Sequence, residues 1–187
     1  MFVRTRRLML RPGWIEDAAE LTRALAHESV VRNLSRAPWP YAVSDAEEFL
    51  SRWGGPMTSR FLIMAHEETG VRIVGCIGVE ALEGAQHELG YWITPDAWGR
   101  GYATEAGRGV LEAVRTMGVR HIEAGHFLDN PASGRVLRKL GFRPTGEVRN
   151  VHSRGRGTES PCAYYTRDLN ETRATGDDPD DDVRMAA

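Results

Sequence analysis

Apolar residues recur in this chain in two rhythms, every second position in some segments and every third or fourth in others, and the switches between them predict its elements. Thr5-Arg6-Arg7-Leu8-Met9-Leu10-Arg11-Pro12 alternates as a first strand closed by proline, and Glu16 to Ala26 carries apolar side chains at helical spacing. Pro38-Trp39-Pro40-Tyr41 makes a stiff aromatic loop. Behind it, Ser44-Asp45-Ala46-Glu47 reads as a capping box, with Ser44 as N-cap, opening a helix through Phe49, Leu50 and Trp53. Phe61–Ala65, Ile73–Val79 and Glu88–Ile93 are strand-like. The turn signals between them, Glu67-Glu68-Thr69-Gly70 and Glu83-Gly84-Ala85, are short enough to imply an antiparallel meander. Ala103, Ala106, Val110, Val114 and Met117 mark one face of a helix over Tyr102–Met117, ended by Gly118. His121–Phe127 is a further strand, Pro131–Leu140 a helix stopped by Gly141, and Phe142–Val148 and Ala163–Leu169 two closing strands. The predicted order is β-α-α-β-β-β-α-β-α-β-β, an α/β (α+β) arrangement without internal repeats.

Composition narrows the class. A chain of 187 residues, 41% apolar, can bury one core, and residues 1–170 are read as one domain. Residues 171–187 differ: Glu171, Asp177, Asp178, Asp180, Asp181 and Asp182 face only Arg173 and Arg184, a segment too polar to pack and expected to be a disordered acidic tail. Without it the body carries a small positive balance and no dense basic stripe, so no nucleic-acid partner is expected. No apolar run has the length of a membrane span and Met1–Arg7 lacks a signal-peptide core. A cytoplasmic protein without a membrane partner is expected. Cys76 and Cys162 stand far apart in strand-like runs and are expected to be buried thiols, and the six histidines lack zinc-site spacing, so no metal is expected. His126 is read as a packing residue.

Candidate chemistry gathers between Glu88 and Ala106, where a strand passes through a turn into the best-defined helix. A helix start leaves main-chain N–H groups unpaired at the positive end of the macrodipole, and Gly99 and Gly101 would let a phosphate approach them without a Cβ in the way. Pyrophosphate is the natural guest, the alternative being that the glycines only make a tight turn. A Walker loop is excluded, because no Gly-Lys-Ser/Thr is present. A dinucleotide fingerprint fits poorly: Thr104 stands where its third glycine or alanine would be, and Glu123 starts its strand instead of ending it. No Gly-x-Ser-x-Gly elbow and no base adjacent to either cysteine argues for a covalent enzyme.

Four motifs in order give the chain a resemblance to a known family. Thr5–Pro12, Glu88-Leu89-Gly90-Tyr91-Trp92-Ile93, Trp98-Gly99-Arg100-Gly101-Tyr102-Ala103-Thr104-Glu105-Ala106, and Asn130-Pro131-Ala132-Ser133 running on to Lys139-Leu140-Gly141-Phe142 resemble the GNAT superfamily of N-acetyltransferases. The match is to the branch of the ribosomal-protein N-terminal acetyltransferases RimJ and RimL, and it spans roughly residues 5–169. The resemblance implies a central, mostly antiparallel mixed sheet of about seven strands flanked by about four helices. It also implies acetyl-CoA as co-substrate, its pyrophosphate on the main-chain amides of Trp98, Gly99, Arg100, Gly101, Tyr102, Ala103 and Thr104. The family pattern Gln/Arg-x-x-Gly-x-Gly/Ala has Trp98 in its first place here, which leaves the backbone donors in position. Pantetheine would lie between two splayed strands, pairing with main chain at Trp92, Ile93 and Thr94 and held from the other side by Asn130.

An amine attacks a thioester only when neutral, and amines with pKa values of about 8 to 10 are largely protonated near neutral pH, so a base must take a proton. Glu88 is the leading candidate; its alternatives are a solvated strand-end charge or a contact for a cationic substrate. His87 points to the opposite sheet face from Glu88. Ser133 resembles the residue placed near the CoA sulfur in this branch, the alternative being a plain helix-start serine. A backbone N–H near Ile93 would polarise the thioester carbonyl. Trp39, Tyr41, Glu88 and Tyr91 are candidate walls of the acceptor site, though the aromatics could equally be core. Asn150–Glu159 is read as a flexible basic loop. The expected reaction is direct transfer of acetyl to a primary amine by a monomer or homodimer, with a protein α-amine, an aminoglycoside and a polyamine all open as acceptors. The rival reading is a catalytically inactive acyl-CoA sensor or interaction module on the same fold.

Overall fold

A computed structural model describes residues 1–53, 59–67, 70–82 and 86–170. Its elements are β1 (Val3–Arg4), β2 (Leu8–Arg11), α1 (Ala18–Leu25), α2 (Glu28–Val31), α3 (Val43–Ser51), β3 (Ser59–Glu67), β4 (Gly70–Ala81), β5 (His87–Ile93), α4 (Tyr102–Thr116), β6 (His121–Phe127), α5 (Pro131–Lys139), β7 (Arg143–Ser153) and β8 (Thr158–Asp168). Short 3-10 turns at Ile15–Asp17 and Pro95–Ala97 precede α1 and α4.

The central strands are apolar on both faces, so the sheet must be covered on both sides. Phe61, Ile63 and Ala65 of β3 and Val74, Ile77 and Val79 of β4 pack against Ala106, Val110 and Val114 of α4 and Leu137 of α5. On the other face Leu62, Met64, Ile73 and Cys76 pack against Leu21 and Leu25 of α1 and Ala46 and Leu50 of α3. All eight strands form one sheet in the order β1-β2-β3-β4-β5-β6-β8-β7. Neighbours are antiparallel except β5 and β6, which are parallel and paired only at Glu88 opposite Glu123. Beyond that bridge the two strands part toward Ile93 and Phe127, and a V opens in the middle of the sheet.

The β4 side of the V is bent by a bulge. Ile63 of β3 faces Gly75 and Met64 faces Ile73, which leaves Val74 as the extra residue. Gly75 is required here: a Cβ would lie 2.2 Å from the Trp92 carbonyl oxygen and 2.9 Å from Ile93 Cδ1. The Trp92 carbonyl therefore points at β4, and Thr94 N–H likewise donates to Val74 O at 2.9 Å. By alternation, the Ile93 main chain between them turns toward the V.

Several expectations need correction. The sheet has eight strands because Thr5–Pro12 is not one strand: Thr5 N–H donates to Leu8 O at 2.9 Å, folding β1 and β2 into a hairpin. The helix expected from Ser44 begins at Val43, because Asp45, not Glu47, reaches back to accept from Ala42 N–H at 2.8 Å. The short helix α2 lacked a long enough apolar period to be seen. Met117 lies outside the buried face of α4. Asn150–Glu159 is no flexible loop: β7 and β8 run on to Ser153 and Thr158, and their turn is fastened to the segment after α2. Ser153 Oγ donates to Leu34 O at 2.7 Å, Arg154 N–H to Ser35 O at 2.9 Å, and the Arg156 guanidinium pairs with Asp129 at 2.8 Å, so the turn is tied down by internal contacts. Cys76 and Cys162 are free and buried, as expected. The expected turns at 68–69 and 83–85 and the acidic tail at 171–187 lie outside the described residues. No helix among the described residues is long and apolar enough to cross a membrane.

Replacing Gly75 with alanine is expected to lower the unfolding free energy by about 1–3 kcal/mol, since β4 and β5 must move apart. A denaturant midpoint equal to that of the parent would show that the strands do not approach so closely.

Candidate active site

Gly99 and Gly101 adopt left-handed φ values of 75° and 76°, and Gly101 is the N-cap of the 15-residue α4. A Cβ at Gly99 would meet nothing within 4 Å, and one at Gly101 would meet only Arg7 Nη2 at 3.6 Å, so the space above both is open. The first intrahelical bond of α4 runs from Glu105 N–H to Gly101 O at 3.0 Å. The Trp98 N–H, expected among the donors, is instead taken by Pro95 O at 3.2 Å, whereas among the described residues no protein acceptor meets the main-chain N–H groups of residues 99–104. Six donors at a helix start, with the positive end of the macrodipole behind them, make a receptacle for an anion. The Arg100 side chain leaves it, pairing with Glu67 of β3 at 2.8 Å.

The helix start is held by a residue whose role the sequence reading missed. The Glu105 carboxylate accepts from Thr5 Oγ1, Arg7 N–H and Arg7 Nε, each at 2.7 Å, and the Arg7 guanidinium lies 4.9 Å from the Tyr102 ring centroid. Burial works to raise the Glu105 pKa, but the bonds from Thr5 and Arg7 outweigh it and hold the carboxyl below its ordinary value. The β1–β2 hairpin is thereby tied to the first turn of α4.

At the V, Trp98 does more than fill space: its indole N–H donates to Ile93 O at 2.7 Å. Of the three residues expected to offer main chain to a ligand, Trp92 and Thr94 are turned to β4 and only Ile93 faces the opening. Asn130 and Ser133 stand across the gap, where α5 begins. Asn130 N–H donates to Phe127 O at 2.8 Å, and its side-chain oxygen accepts from Ser133 N–H at 3.4 Å, capping the helix. Tyr91 corrects an expectation. Alternation along β5 sets it with Leu89 and Ile93 on the α4 and α5 side, away from Glu88, and its phenol oxygen lies 2.7 Å from Ser133 Oγ.

Glu88 occupies the opposite face, between Glu80 of β4 and Glu123 of β6. Glu80 is neutralised by Arg36 and Arg60. Among the described residues, no ion pair or hydrogen bond reaches the Glu88 carboxylate. Burial raises its pKa above the ordinary carboxylate range; Arg36 opposes that and the Glu80 and Glu123 charges add to it. Burial first, and Glu88 second, push the nearby Cys162 thiol up to about 11, so it is not a ready nucleophile. Tyr41 is core, buried against α1 and α3, and does not line an open site; Trp39, in the loop before it, is exposed. His126 packs under α5, where a Cβ on Gly134 would lie 2.6 Å from its Nε2.

With this geometry in place, likeness to known proteins carries weight. Residues 7–143 match the family described as acetyltransferase (GNAT) domain. The uncharacterized N-acetyltransferase YoaA of Bacillus subtilis is 29% identical over 158 residues, covering 78% of this chain and 84% of that protein. A GNAT-family acetyltransferase from Bacillus anthracis superposes with a TM-score of 0.77 at 23% identity, over 91% of this chain and 100% of that one. Mycobacterium smegmatis RimJ, solved in complex with a CoA disulfide, gives 0.75 at 21% identity over 92% and 88%.

A raised folded-state pKa means that Glu88 binds its proton more tightly in the folded chain than in the unfolded one. The protonated form adds stability at acid pH that is lost as pH rises through the folded value. Glu88→Gln is therefore expected to unfold at a higher temperature than the parent near pH 7 and at the same temperature near pH 4. Equal melting temperatures at both would mean that the carboxylate is not strained by its site.

Proposed function

This chain belongs to the GNAT acetyltransferase family, and from that membership we propose that it transfers acetyl from acetyl-CoA directly to a primary amine, held over Glu88. It is an acetyl-CoA-dependent N-acetyltransferase. The finer assignments rest on the geometry, and the observation that carries them is the set of main-chain donors at residues 99–104, unpaired among the described residues, beside an open V at Ile93. A diphosphate fits there, because it supplies acceptors to amides that have none and needs the space that a Cβ would fill. The pantetheine arm would then run down the V, extending β5 at Ile93. Acetyl-CoA brings the thioester; this chain binds, orients and handles the proton.

Glu88 takes the proton of the attacking amine, directly or through one water. Its raised pKa supports that role, because a base closer to the working pH shares the proton better in the transition state. The carboxylate pair Glu88 and Glu123 also suits a cationic amine waiting to be deprotonated. The acceptor is a protein N-terminal α-amine, as the similarity to RimJ favours, or a small-molecule amine.

Purified protein is expected to release free thiol from acetyl-CoA in the presence of one class within a panel of peptides and small amines. Tight CoA binding with no turnover on any acceptor would instead make the chain an acyl-CoA sensor. Glu88→Gln is expected to slow kcat by about 100-fold, in the range of general-base loss. Gly101→Trp is expected to weaken CoA binding at least about tenfold, with circular dichroism unchanged; parent-like affinity would remove the diphosphate site.

A further inference from the structure

Tyr91, half-buried, reaches from the β5 lip of the V to the α5 lip. Its phenol oxygen stands 2.7 Å from Ser133 Oγ and donates to Ser133 O at 3.1 Å. Leu89 and Ile93 beside it on the same strand face belong to the core against which it packs, which fixes the ring. A phenol has one proton and here two acceptors. When Tyr91 donates to Ser133 O, the serine hydroxyl satisfies itself by donating back to Tyr91, and its proton is held away from the V. When Tyr91 donates to Ser133 Oγ, the serine proton is released to point elsewhere. The two arrangements differ by rotation of two hydroxyls, without movement of any heavier atom.

We propose that Tyr91 is a positioning residue for acyl transfer, whose O–H, donated to Ser133 Oγ, turns the serine proton onto the sulfur that leaves. The proposal rests on the reading that Ser133 faces the thioester. As transfer proceeds, the carbon–nitrogen bond forms, the carbon–sulfur bond breaks with its electron pair on sulfur, and the amine's proton leaves toward Glu88. Ser133 and Tyr91 keep their protons throughout: each supplies a hydrogen bond that strengthens as charge grows on sulfur. Burial pushes the Tyr91 phenol up to about 12, which keeps it neutral and a donor at any working pH. Donors chained in this way polarise one another, so the serine bond to sulfur is stronger with the tyrosine behind it than without.

The test is steady-state kinetics of Tyr91→Phe, Ser133→Ala and the double variant, on acetyl-CoA with the best amine of the panel. Phenylalanine keeps the ring packing and removes only the O–H. Each single variant is expected to lose about tenfold in kcat, with KM for acetyl-CoA and amine within about twofold of the parent, and the double variant is expected to be no slower than Ser133→Ala. A loss of packing alone would raise KM or add to the serine loss. Parent-like kcat in Tyr91→Phe beside a slowed Ser133→Ala overturns the proposal alone, as does a double variant whose losses multiply. Parent-like kcat in Ser133→Ala overturns the assignment of Ser133 and the proposal with it.

Discussion

A sheet that pairs two parallel strands at one position and then lets them part creates an obligation. Main-chain groups beyond the Glu88–Glu123 bridge face a gap, and a polar group removed from water needs a partner. Much of the chain is arranged around that gap. The β4 bulge and Gly75 let β5 lean away from β6, and the Ile93 carbonyl is met by the Trp98 indole. The far lip is built from a capped helix start at Asn130 and Ser133. An extended ligand laid in the V, as proposed, would complete the ladder.

The V alone would hold such a ligand loosely. Its fixed end is the start of α4, and what fixes that start lies far away in sequence. Glu105, in the first turn of α4, accepts three hydrogen bonds from the β1–β2 hairpin. Charge-assisted bonds of this kind are about twice as strong as neutral ones, and three on one carboxylate leave the helix little freedom to tilt. Six amides that meet no acceptor among the described residues stay in place only if the backbone that carries them is held from behind.

Much of this was legible in the sequence. The periodicity gave the strand and helix series, and His121–Phe127 is a strand with those limits. The Gly99 and Gly101 pattern located an open helix start, which depends on backbone geometry that glycine makes visible. The failures share a cause: they turn on partners distant in sequence. Glu105 drew no role from the sequence because nothing local shows that Thr5 and Arg7 reach it. The basic stretch around Arg154 and Arg156 looked solvated because Asp129 and the carbonyls after α2 are invisible to local reading. Tyr91 and Glu88 were placed together as walls of one site, although their spacing of three along a strand already assigns them to opposite faces.

That separation of faces underlies the proposed chemistry. Glu88 stands on one side of β5 and Tyr91 with Ser133 on the other, and the V between β5 and β6 joins the two sides. A thioester threaded there as proposed would present its carbonyl carbon to an amine from the acidic face and its sulfur to hydroxyls on the helical face. In the proposed mechanism, proton removal and charge stabilisation fall to groups on opposite faces of the sheet. The cost falls on Glu88: half-buried beside two other carboxylates, its charged form is held against desolvation, and the rest of the fold must supply the stability that tolerates it.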